Sequence, residues 1–182
     1  MNIRPYKGHG VNFLPDKYTV VDIETNGLFS GKCEILEISA VKFTDGEKTD
    51  SYSTLIKPSR KIDPFITRLT GITDEMAAGG KEICAALDGF TDFVKDEIIL
   101  GYNVNFDINF LYESLVEYRS RPLTNNYLDV LRLTRKHFPQ LDNHKQTTVA
   151  QYLGIDVCGA HRAEKDCFIC SAIYEYLRKK FR

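Results

Sequence analysis

No apolar run in this chain approaches the ~18 residues that a membrane-spanning helix requires, so a soluble protein is expected. The opening M-N-I-R-P-Y-K-G-H-G lacks the apolar core of a secretory signal, which points to the cytoplasm. An excess of one charge is missing as well. The 24 Lys and Arg against 25 Asp and Glu give a net charge of −1, and the sequence pI is near 6.4. No whole-molecule field draws the chain to polyanions, and such binding has to come from a local patch or a bound metal. The 5 cysteines are an odd number, which cannot close a disulfide framework and fits a reducing compartment. Cys167 and Cys170 form C-F-I-C, but no second cysteine pair or histidine at zinc-finger spacing accompanies them. Burial as small hydrophobes is the simpler reading. Internal repeats, low-complexity tracts and linkers are absent.

What is present is enough for one large domain: 182 residues, 43% of them hydrophobic, can bury a substantial core. We read residues 1–182 as a single domain whose first sixteen form an aperiodic N-terminal arm. Alternation predicts strands at 18–24, 35–43 and 51–57, joined through T-N-G and T-D-G-E turns into an antiparallel meander. Helical spacing covers 81–95, 106–119, 131–137, 146–153 and 162–180, with a short helix at 64–69. Short strands are expected at 98–101 and in N-Y-L-D-V, 126–130. A meander followed by alternating helix and strand implies an α/β domain, a mixed five-stranded sheet of three antiparallel strands then parallel additions, flanked by helices.

Against this background three strings stand out: V-V-D-I-E-T-N-G-L at 20–28, N-V-N-F-D at 103–107 and H-R-A-E-K-D at 161–166. Each sets acids where apolar side chains belong. In the first strand Asp22 and Glu24 share a face with Val20, and Asp is depleted in strands. On its helix, Asp107 lies in line with Phe110, Leu111, Ser114, Leu115 and Tyr118, while Asp166 lies in line with Ala163, Ile169, Cys170, Ile173 and Leu177. Two unit charges ~4 Å apart repel by about 4 kcal/mol at an effective dielectric of 20, so a cluster of such acids needs cations, and a divalent-metal site is the natural inference. Plainer readings stand beside it: a charged exposed strand face for Asp22 and Glu24, a first-turn carboxylate meeting the helix dipole for Asp107, and an ordinary surface histidine for His161. His161 falls about 140° around a regular helix from Asp166, so it is placed at the helix start or on the preceding loop, where Gly154 and Gly159 give freedom. Asp129, between Leu128 and Val130, reads as a supporting structural acid.

Taken together, in this order and over nearly the whole chain from Tyr18 to Tyr176, the strings resemble the DEDDh, or DnaQ-like, exonuclease family, which includes the proofreading exonucleases of bacterial DNA polymerase III. The resemblance implies a ribonuclease-H-like fold and removal of nucleotides from a 3′ end with two Mg²⁺ or Mn²⁺ ions. By matching position, Asp22, Glu24, Asp107 and Asp166 would be the metal ligands, with Asp22 bridging, and His161 the general base. Thr25, Asn26, Gly27 and Leu28 look like the turn that holds the terminal nucleotide, Asn103 and Phe106 like the polar and aromatic positions beside the second acid. Phe106 is equally readable as core. L-T-G-I-T, from Leu69 through Ile72 to Thr73, resembles the segment that packs on the terminal base. The family often has threonine in place of Asn26 and histidine in place of Thr70; Asn26 keeps a hydrogen-bonding side chain, and Thr70 weakens transfer of a role there.

The expected activity is therefore a metal-dependent 3′-to-5′ exonuclease on DNA, preferring single-stranded or frayed ends and serving proofreading or repair, with a DNA polymerase as a possible partner. An RNA 3′-end exonuclease and a catalytically silent binding module are the alternatives, and none of the metal carboxylates whose loss would favour the latter is missing. Arg132, Arg135, Lys136 and Lys145 are candidate phosphate contacts or simply a solvated helix face.

Overall fold

The computed structural model describes residues 4–181; residues 1–3 of the arm and Arg182 lie outside them. Three strands, β1 (Lys17–Thr25), β2 (Ile35–Thr44) and β3 (Glu47–Leu55), pair antiparallel, and β4 (Ile99–Gly101) and β5 (Tyr127–Asp129) add in parallel to give the order β3-β2-β1-β4-β5. The helices are α1 (Pro64–Thr70), α2 (Asp74–Ala78), α3 (Ile83–Val94), α4 (Asn105–Arg119), α5 (Val130–His137), α6 (Gln146–Tyr152) and α7 (Ala163–Phe181). The mixed, helix-flanked sheet is the one expected.

The strand β3 and the segment after Thr73 depart most from expectation. β3 begins at Glu47, not at 51, and ends at Leu55. Asp45 and Gly46 both have positive φ, 53° and 84°, the two-residue hairpin turn that matches strand twist, so Thr44 faces Glu47 and pairing starts at once. The polar run E-K-T-D hides this start, because an edge strand carries charges that a buried strand does not. A short helix, α2, follows Thr73, whose hydroxyl accepts the Met76 amide at 3.2 Å.

β1 sets the layering through its period of two. Val21 and Ile23 point into a core built with α3 and α4, whereas Tyr18 and Val20 point into a second core with α5 and α7. Asp22 and Glu24 continue the second set, so both leave the sheet on the α7 side, at the carboxyl end of β1. α7 is held across β1 and β2 by a buried polar group: Tyr18 Oη donates to Glu175 Oε1 at 2.9 Å, and Glu175 accepts a fork from Arg178, itself paired with Asp16.

The arm is not loose in its described part. Val11 donates to Tyr127 O at 2.8 Å, Tyr127 donates to His9 O at 3.0 Å, and Lys7 Nζ donates to Asn105 and Asn109 of α4, each at 3.1 Å.

Gly101, at the end of β4, permits the approach of the next turn. A Cβ there would sit 2.8 Å from Val104 Cγ2 and 3.0 Å from Val21 O. Gly101→Ala is expected to cost about 1–3 kcal/mol of stability, visible as a lowered midpoint in thermal unfolding; an unchanged midpoint would show that the turn yields freely.

Candidate metal centre

Carboxylate oxygens of Asp22, Glu24 and Asp166 lie within 4.8 Å of one another, the only such His, Cys, Asp or Glu grouping among the described residues. β1 supplies two of them by alternation and the first turn of α7 the third. Burial, then repulsion from Asp107, Asp166, Glu24 and Glu37, pushes the Asp22 carboxyl well above its ordinary range. Glu24 is raised to about 7 by burial first, then by Asp166 and Glu37, with Arg162 opposing. Burial likewise raises Asp166, against the amide and charge of His161. Three close carboxylates that cannot all ionise cheaply are a donor set for a hard divalent cation, which takes oxygen ligands and displaces the protons. Residues and ion fit.

Asp107, on the first turn of α4 and 4% exposed, stands outside that trio. Its Oδ1 accepts the Ile23 amide at 3.1 Å, on the β1 edge that β4 leaves uncovered by ending at Gly101. Burial raises this carboxyl as well, and its charge is among those that raise Asp22.

His161 lies in the loop directly before α7, at φ 69° and exposed. Its backbone amide donates to Asp166 Oδ2 at 3.0 Å, so its position is tied to a carboxylate of the trio. Asp129 caps α5 and accepts the amides of Leu131 at 3.1 Å and Asn103 at 3.0 Å, which fixes the turn that leads into Asp107.

The residues expected to hold substrate divide. Leu28 is 77% exposed and Leu69 46%, apolar surfaces open to a ligand. Asn103 is exposed at φ 64°, and Phe106 is half-buried, its ring 4.9 Å from that of Phe110. Thr25 spends its hydroxyl on Gly27 O at 2.6 Å, which closes the turn, and a Cβ at Gly27 would meet Cys33 Sγ at 2.5 Å. Asn26 does not offer a free side chain: its Oδ1 accepts the Glu34 amide at 2.7 Å and its Nδ2 donates to Glu34 Oε2 at 3.0 Å. Ile72 is fully buried with Leu36, Ile62 and Ala77, so it backs the segment from within. Thr70 is buried too, its hydroxyl bonded to Ile66 O and the Ile72 amide. Arg132, Arg135, Lys136 and Lys145 are exposed. Cys167 and Cys170 are core residues whose thiols burial pushes up.

Glu37 and Arg162 were given no role by the sequence. Glu37, 3% exposed on β2, accepts a fork from Arg162, Nη2 to Oε1 at 2.8 Å and Nε to Oε2 at 3.2 Å, and the Ala163 amide at 3.3 Å. The signal was there: an acid in the apolar run I-L-E-I, the same anomaly that marks Asp22.

A cleft of about 660 Å³ lies away from these acids, between the β1–β2 loop, residues 56–60 and the second half of α4. Of its cations, Lys57 pairs with Glu82 at 3.7 Å and Arg60 with Glu34 at 3.8 Å, and Lys32 lines it as well.

Among known proteins, the family model described as exonuclease matches residues 19–174. The DNA polymerase III subunit epsilon of Aquifex aeolicus is 35% identical over 90% of this chain and 81% of its own length. The PolC-type DNA polymerase III of Clostridium perfringens is 37% identical over 96% of this chain, which spans 12% of that protein. Of solved structures, Exonuclease X in complex with 5′ overhanging duplex DNA superposes with TM-score 0.73 at 23% identity, covering 90% of this chain and 92% of that one. Escherichia coli Exonuclease I in complex with a dA16 oligonucleotide gives 0.82 at 19%, covering 92% and 42%. These two likenesses establish the ribonuclease-H-like fold.

Proposed function

The chain belongs to the exonuclease family, and from that premise we propose that it hydrolyses the phosphodiester bond at the 3′ end of DNA, releasing nucleoside monophosphates in proofreading or repair. The observation that carries the reading is the trio Asp22, Glu24 and Asp166 within 4.8 Å, with the amide of His161 on Asp166. Asp22, Glu24, Asp107 and Asp166 would hold two divalent cations, Mg²⁺ or Mn²⁺. Bound there, such a pair supplies Lewis acidity to both the attacking and the leaving oxygen.

The remaining work falls to the chain itself. His161, exposed at the rim, takes the proton of the attacking water, a task suited to imidazole near neutral pH. The exposed Leu28 and Leu69 give apolar faces to the terminal base, and a base stacked on such a surface gains about 1–3 kcal/mol with little sequence preference. A base held this way has to be unpaired, which favours single-stranded or frayed ends. Asn103 and Phe106 flank the terminal nucleotide beside Asp107. The reading treats the whole chain as one exonuclease domain, since the family match runs from 19 to 174 and all the named strands form one sheet. A DNA polymerase is the partner that the names of the relatives favour, and the free thiols of Cys33, Cys84, Cys158, Cys167 and Cys170 support work in a reducing cytoplasm.

The test is incubation of the full chain with 5′-labelled single-stranded DNA, and with matched RNA, in Mg²⁺, Mn²⁺ or chelator. A ladder shortening from the 3′ end, lost with chelator and faster on DNA, is expected. Faster cleavage of the RNA would reassign the substrate, and tight binding without cleavage in any metal would refute the enzyme.

A further inference from the structure

We infer that Glu37 and Arg162 form a positioning pair, fixing the loop that carries His161 over the carboxylates; the inference rests on the exonuclease reading above. His161 sits at the end of a stretch between α6 and α7 in which Gly154 and Gly159 both take positive φ, 73° and 82°. Its side chain is exposed, and its backbone amide is the group that donates to Asp166. A base on such a segment needs an anchor, and the anchor is the next residue.

Arg162 places both arms of its guanidinium on Glu37, and the Ala163 amide closes on the same carboxylate. A planar fork matched to a carboxylate fixes direction as well as distance, which a lysine ammonium cannot do. The other end of the anchor is rigid. Glu37 is paired within the β1–β2 ladder directly across from Glu24, at the end where β1 carries its acids, and residues paired across a sheet leave it on the same face. The loop is thereby registered to the strand that carries Asp22 and Glu24, and Gln146 Nε2 of α6 adds a bond to Asp166 O at 2.7 Å.

The arrangement has a cost that argues for a use. Glu37 is a buried carboxylate whose charge raises both Asp22 and Glu24, and burying a charge beside like charges is unfavourable unless a partner compensates. Glu37 is not one of the carboxylates that lie within 4.8 Å of one another, and Arg162 and Ala163 engage both of its oxygens. It turns repulsion at the cluster into a fixed seat for the base.

A simple staple for α7 would affect every step equally, and this separates the two roles. Arg162→Lys and Glu37→Gln are compared in the full chain and in a His161→Ala background, measuring kcat and KM on single-stranded DNA, Mn²⁺ affinity by calorimetry, and thermal unfolding. Misplacing a reacting group by ~1 Å costs about 100-fold. Each substitution is expected to lower kcat about 10- to 100-fold with KM and Mn²⁺ affinity within about twofold, and to cost nothing further once His161 is gone, as coupled residues do. Equal losses in both backgrounds, unchanged kcat, or Mn²⁺ affinity falling in step with kcat would each overturn the inference. Should Glu37→Gln fail to fold, Arg162→Lys, which keeps the charge, decides alone. If His161→Ala is impaired but Arg162→Lys is not, this inference fails and the exonuclease stands; an inert wild type would overturn both.

Discussion

Asp22→Asn is expected to abolish hydrolysis while making the metal-free protein more stable. The loss follows from the position of Asp22: it joins Glu24 and Asp166 in the trio and is raised by burial and by Asp107. Ligation and charge neutralisation there are worth several kcal/mol, so a fall of about 10³-fold or more is expected. The gain follows from the same crowding. A folded-state carboxyl whose pKa is raised binds protons that the unfolded chain has already released, so stability falls as pH rises across the gap. For Glu24 that gap runs from its ordinary 4.5 to about 7, and Asp22 and Asp107 are shifted in the same direction. Without metal the wild type should therefore lose thermal stability between about pH 4.5 and 7. Mn²⁺ should restore it most at the upper end, where fewer protons compete, and the Asn substitution should flatten the pH dependence. Melting curves at pH 5 and 8, with chelator and with Mn²⁺, check all three. Retained nuclease activity, or a variant less stable than wild type at pH 8 in chelator, would remove Asp22 from the metal centre.

His161→Ala is expected to slow kcat by about 10²–10⁴-fold, the usual reach of general-base catalysis, and to leave Mn²⁺ binding nearly intact. The contact between this residue and Asp166 runs through the backbone amide at 3.0 Å, and alanine keeps that amide. The trio should therefore stay assembled while the proton acceptor is gone. Single-turnover cleavage together with Mn²⁺ titration separates the two effects. A collapse of metal affinity would mean that the imidazole is itself a ligand; unchanged kcat would mean that another group takes the proton.

Direction was legible in the linear chain. Alternation in V-V-D-I-E sends Asp22 and Glu24 to one face, and helical spacing turns Asp107 and Asp166 inward, because both periods are local properties of the backbone. The layered α/β plan was legible for the same reason, as was the placing of His161 at the start of the last helix or on the loop before it. Partnership was not. That Asp107 takes the Ile23 amide depends on β4 stopping at Gly101; that Asn26 is spent on Glu34 depends on the return path of the β1–β2 loop; that Ile72 is core depends on how α1 and α2 close over Leu36. Glu37 and Arg162 lie 125 positions apart and meet only because β2 pairs with β1 in one register and α7 crosses both. Periodicity tells a side chain which way to point, whereas hydrogen-bond partners are chosen by strand register and helix packing, which exist only once the chain has closed on itself.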